Sequence, residues 1–148
     1  MATTSDPTVF VKNLKRRGGE ITKNAAKLVR QAALRCDQVV VLETKVDTGR
    51  ARAGWVASIN APVFHDAGQG RSSGFSEVQP NATKLSLIAA EVSIAAYNPG
   101  DSAIFISNVV PYIGYLNFGS DVHEPGEMML HGVLAAAAVI KGGRLLGP

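Results

Sequence analysis

Asp47, Thr48 and Gly49 have the residue types and the order that can do acid–base chemistry. A carboxylate in such a turn can share one proton with its symmetry mate in a second chain and activate water against a peptide bond. Leu145-Leu146-Gly147 resembles the apolar-apolar-glycine element that would support it. The context argues otherwise, because the triplet follows a long helical pattern instead of a strand and the second element comes last in the sequence. A plain helix-to-strand turn needs the same types, since aspartate bonds its own backbone and glycine reaches angles others avoid. Gly70-Arg71-Ser72-Ser73-Gly74 fits G-x-S-x-G, yet lacks the strand before and the helix after that a nucleophile elbow requires. His123, Glu127 and His131 are spaced four apart and would stack three metal ligands on one continuous helix, but Pro125 and Gly126 interrupt it. Glu127 and His131 then read as a surface helix pair. Cys36 reads as a small buried hydrophobe. No phosphate-cradling glycine loop is present. The chain is therefore expected not to be an enzyme and to need no metal and no cofactor.

The elements that would position these residues follow from spacing. Asp6-Pro7 reads as an N-cap and first helical position. Phe10, Val11, Leu14, Ile21, Ala25, Leu28, Val29, Ala32, Cys36 and Val39 then share one face at a step of about 100° per residue. Lys12, Arg16, Lys23, Lys27 and Arg30 fall opposite, a basic outer stripe. Gly18 and Gly19 weaken the first turns, so the firm helix is expected from Glu20 to Glu43, with a flexible N-terminus over about residues 1–19. Trp55, Ala57 and Ile59 alternate as in a strand that Pro62 ends. Residues 62–80, rich in Gly, Ser and Gln, read as a mobile arm. Leu85, Ile88, Ala89 and Val92 have helical spacing, although a strand also suits residues 83–96. Asn98-Pro99-Gly100-Asp101 is a turn before a buried strand at Ile104–Ile106. Pro111 opens a short helix carrying Tyr112, Tyr115 and Leu116, which Gly119 closes, and a last helix runs from Pro125 to Lys141. Trp55, Tyr112 and Tyr115 are assigned to the core. The fold class expected is α+β: a long N-terminal amphipathic helix and further helices packed on a small β-sheet, in one domain of 1–148.

Composition narrows the classes further. Hydrophobic residues make up 46% and charged residues 18% of the 148, enough for a real core and too apolar for a disordered chain. One cysteine cannot form an internal disulfide, and the first residues lack a secretory signal's apolar segment, which points to an intracellular origin. No apolar run approaches the ~20 residues of a bilayer span, so no membrane is expected. Residues 12–35 hold eight cations against Glu20 alone, a net +7, while the rest of the chain carries −4 within the total of +3. The stripe suits a solvated face, DNA phosphates or an acidic protein partner.

Two segments carry a resemblance. Val46-Asp47-Thr48-Gly49-Arg50-Ala51-Arg52-Ala53-Gly54-Trp55 resembles the "VDTGxLRxxW" signature of tailed-phage neck and tail-completion proteins, minor virion components between head and tail. Asn98-Pro99-Gly100-Asp101, Ile104 to Asn108 and Pro111-Tyr112-Ile113-Gly114-Tyr115-Leu116-Asn117-Phe118-Gly119 resemble the family's second signature, roughly "PGDxIxIxNxxPYxxxLExG", in order and spacing. Pro125-Gly126-Glu127-Met128 is similar to the "P-x-G-M" that follows, with a shifted glycine. Ala51 stands where the family has leucine, and Asn117 where it has glutamate. The resemblance implies turn and packing roles for Asp47, Thr48, Gly49, Arg50, Trp55, Asn108, Pro111, Tyr112, Tyr115, Leu116 and Gly119. It implies a structural protein forming a ring, a hexamer or dodecamer, at the head-tail junction, made in the host bacterial cytoplasm and located in the virion. Implied partners are its own copies, head-completion or connector proteins, tail-terminator or tail-tube proteins, and DNA passing without sequence specificity along Lys12, Arg16, Lys23, Lys27 and Arg30. The competing classes are a dimeric aspartic protease using Asp47-Thr48-Gly49 and a nonspecific DNA-binding protein.

Overall fold

Asp6 opens the longest element in the way its type dictates. Its carboxylate accepts the Thr8 backbone N–H at 2.9 Å, and Pro7 takes the first helical position, where no donor is lost. In the computed structural model, which describes residues 6–45, 50–64 and 81–145, this helix, α1 (Pro7–Glu43), runs 37 residues unbroken, about 55 Å at the helical rise. The helix thus continues through the glycine pair from Pro7 instead of beginning at Glu20. Across the glycine pair, Thr22 donates its hydroxyl to the Gly18 carbonyl and Arg16 pairs with Glu20, both at 3.0 Å.

After α1 come α2 (Arg50–Ala53), β1 (Trp55–Ile59), α3 (Ala82–Ala95), β2 (Ile104–Asn108), α4 (Ile113–Phe118) and α5 (Met128–Gly142). The strands pair antiparallel, from Trp55 opposite Asn108 to Ile59 opposite Ile104. The described residues thus form an α+β arrangement of five helices and one two-stranded sheet. The segment that suited either helix or strand is helix α3. Asn60 turns the chain out of β1 with φ 68°, a left-handed angle asparagine tolerates, two residues before Pro62.

α1 packs against α5 on one side and against α3 and the strands on another. Val40, Val41, Trp55 and Met128 form one buried cluster, and Ala57, Ala90 and Ile94 form a second. α5 runs antiparallel to α1, with Gly132 at the closest approach: a β-carbon there would lie 2.6 Å from Val40 Cγ1 and 3.1 Å from Cys36 Sγ. Glycine is what lets the two helices touch. Cys36 packs half-buried beside the first cluster, and burial, then the neighbouring Asp37, pushes its thiol pKa up.

α5 begins at Met128, not Pro125. Gly126 donates its N–H to the Leu116 carbonyl, and Glu127 takes a left-handed φ of 49°, so the chain is bound to α4 before it can coil. The face read for α1 also needs correction. The residues it buries are Ala26, Ala32, Asp37, Val40 and Val41, whereas Phe10, Val11, Leu14, Ile21 and Val29 are exposed.

Candidate functional site

The two signature segments meet where α1 ends. Thr44, fully buried, lies at the centre: its hydroxyl donates to the Val40 carbonyl and accepts the Trp55 indole N–H at 2.8 Å, with Met128 Sδ at 3.1 Å. Trp55 is buried, as expected. Arg52, not singled out from sequence, donates Nε to the Thr44 carbonyl at 2.8 Å and Nη2 to the Leu42 carbonyl at 2.7 Å. A guanidinium there satisfies carbonyls that the helix end leaves without partners. Arg50 stands exposed at the start of α2. Asp47, Thr48 and Gly49 lie outside the described residues, as do Gly70-Arg71-Ser72-Ser73-Gly74 and residues 65–80 of the arm.

The second segment is bound to the chain around β1 at both ends of the strand pair. At one end Asn108 donates Nδ2 to the Ala51 carbonyl at 2.8 Å and accepts the Val110 N–H at 2.9 Å. At the other, Asn60 donates to Asp101 Oδ1 at 2.9 Å and accepts the Ser102 N–H at 2.7 Å. Asp101 also accepts the Asn98 N–H at 2.7 Å, and these bonds, led by the one from Asn98, lower its pKa. Both carboxylate oxygens are thereby committed to the turn.

α4 departs from the sequence reading. Its N-cap is Tyr112, Pro111 precedes it in a turn, and Tyr112 and Tyr115 are exposed, not core; Ile113 and Leu116 pack inward instead. Gly119 closes the helix at φ 82°, its N–H bonded to the Tyr115 carbonyl. Asn117 is buried and accepts the Met129 N–H at 2.9 Å. It holds one of the free donors at the start of α5, a job a carboxylate also does.

The basic stripe divides. Lys12, Arg16, Lys23 and Lys27 are exposed, but Arg30 is half-buried and donates Nε and Nη2 to the Tyr97 carbonyl, tying α1 to the end of α3. Its removal from the free stripe has a simple cause, since α3 packs on that side of α1. His123 pairs with Ser120 in a small bridge, and His131 Nδ1 meets Glu43 Oε2 at 2.5 Å, so His123, Glu127 and His131 do not share a helix. Among the described residues no group of three His, Cys, Asp or Glu side chains could hold a metal. No described helix is long and apolar enough to cross a membrane.

One buried polar group was missed altogether. Asp37 is 1% exposed, its Oδ1 has no hydrogen-bond partner, and burial raises its pKa to about 6. Nothing in its sequence context distinguished it from a solvent-facing helix residue. No family model, no curated protein and no solved structure matches the chain.

Proposed function

We propose that the chain is a structural subunit of a tailed-phage virion that assembles as a ring at the head-tail junction, extends the DNA channel and joins or completes the tail. The observation that carries the reading is the use of the signature residues. Trp55, Asp101, Asn108, Asn117 and Gly119 all close turns, cap helices or clamp backbone, which is scaffold work and not chemistry. The outer surface supports it as well. Exposed Leu85, Ile88 and Val92 on α3 and Leu130, Val133 and Leu134 on α5 are the kind of apolar surface that symmetric copies bury. Exposed Lys12, Arg16, Lys23 and Lys27 suit contact with DNA phosphates regardless of sequence. Neighbouring head and tail proteins would be its partners at the two faces of the ring.

The test is the solution mass of the purified full chain by light scattering, with negative-stain images of the same sample. A multiple of the chain mass and rings with a central opening are expected. A monomer at all concentrations, or peptide cleavage that vanishes in Asp47→Asn, would overturn the reading.

A further inference from the structure

The body of the molecule ends partway along α1. The last residues holding this helix are Asn24, whose Nδ2 donates to the Leu145 carbonyl at 3.0 Å, and Leu28, packed on Gly143. From Asp6 to Lys23 every residue is exposed, so about 27 Å of helix projects with no described residue over it. A helix this short with two central glycines is marginal alone in water. It also carries an apolar stripe: Phe10 is 59% and Leu14 55% exposed, with Val11 and Ile21 beside them.

α5 has the complementary deficit. Met128 and Gly132 face α1, but the opposite side presents Leu130, Val133 (61% exposed) and Leu134 (57%) to solvent. A helix apolar on all sides is normally buried on all sides. Its 15 residues span about 22 Å, close to the length of the projecting arm. Charge is complementary too. The arm holds Lys12, Lys15, Arg16, Arg17 and Lys23 against Asp6 and Glu20, whereas α5 has a single cation, Lys141 in its last turn, and acidic residues before its first. Exposed Asp121, Glu124 and Glu127 lie just before α5, where Lys45 reaches only the Glu124 carbonyl oxygen.

We infer that the arm of α1 docks on the outer face of α5 of a second copy of this chain. This rests on the ring reading above and names the surfaces that would build it. Arm against arm would set cations against cations, so the contact is head-to-tail, the kind that closes into rings. One side of such a helix covers roughly 500 Å², about 1,000 Å² over both partners, at the threshold for a biological interface and below the standard size. In a ring each copy makes two. Arg17 falls at the edge of the apolar stripe at the helical step, while Lys12, Arg16 and Lys23 point away from it and stay exposed for DNA.

Two full-length variants test this: Phe10→Asp with Leu14→Asp in the arm, and Val133→Asp with Leu134→Asp on α5. These positions are more than half exposed, so circular dichroism of each variant should match the wild type. Each alone is expected to be monomeric by light scattering at concentrations tenfold above those that assemble the wild type. Mixed together, they should form dimers only, because one retains the α5 face and the other the arm. Wild-type rings together with variants that still assemble would overturn this docking and leave the ring reading standing. A monomeric wild type would overturn both. Variants that lose helicity are replaced by Arg17→Glu, whose assembly should be lost and then regained with Glu124→Lys and Glu127→Lys; failure to regain it also overturns the docking.

Discussion

From Asn24 to Thr44, α1 packs along α5 and against α3 and the strands, and its end is clamped by Arg52 and by the Thr44 hydroxyl. From Asp6 to Lys23 every residue of the same helix is exposed, although its apolar spacing is as regular. Helical periodicity and burial are therefore separate properties. The first reports which side chains share a face, and the second requires something opposite that face. In one half the partner lies within the described residues, and in the other no described residue supplies it.

Three measurements would break or sharpen the contrast. The largest effect is expected from Trp55→Ala, which empties the junction and removes the indole donor from Thr44; urea denaturation should show a loss of about 4 kcal/mol. Leu14→Ala on the arm should change monomer stability by less than about 0.5 kcal/mol, and comparable losses at the two positions would erase the distinction.

Asp37 comes next. Its folded pKa of about 6 lies above the ordinary 3.8, so the folded state binds the extra proton and stability rises as pH falls from above 6 to below 4. By the size of that shift the rise is about 3 kcal/mol. Asp37→Asn should flatten this part of the profile and be the more stable protein at pH 8. A wild type and variant with parallel pH profiles would show that the carboxylate finds a partner in solution.

The smallest effect concerns the arm itself. Gly18 and Gly19 have open space around them, so Gly18→Ala and Gly19→Ala should each favour the helix by about 1 kcal/mol without a clash. Helical circular dichroism of the monomer should rise. No rise would mean that the arm is already fully helical before any partner binds.

Much of the architecture was legible from sequence because it rests on local rules. Asp6-Pro7 caps, Trp55-Ala57-Ile59 alternates, and Asn98 to Asp101 turns, each within a few residues. What stayed hidden depends on partners distant in sequence. Arg52 and Thr44 act on carbonyls and an indole eight or more residues away, and Asn117 on an amide twelve residues on. Arg30 kept its place in the helical phase but left the free stripe because α3 brings the Tyr97 carbonyl to it. Tyr112 and Tyr115 turned outward because α4 is six residues long and has room to bury only Ile113, Leu116 and Asn117. The start of α5 moved because Gly126 and Glu127 are fixed to α4 first.

The bare α-carbon of Gly132 lets α5 lie directly on α1, and α1 continues as one unbroken helix far past that crossing. Such a rod is a lever. Over the about 45 Å of helix between that crossing and Pro7, each degree of tilt moves the tip by about 0.8 Å. If the tip seats on the next subunit, that angle becomes the curvature of the ring, and curvature decides how many copies close it. Gly132→Ala, by prying the two helices apart, would then change the diameter of the assembly before it abolished the assembly.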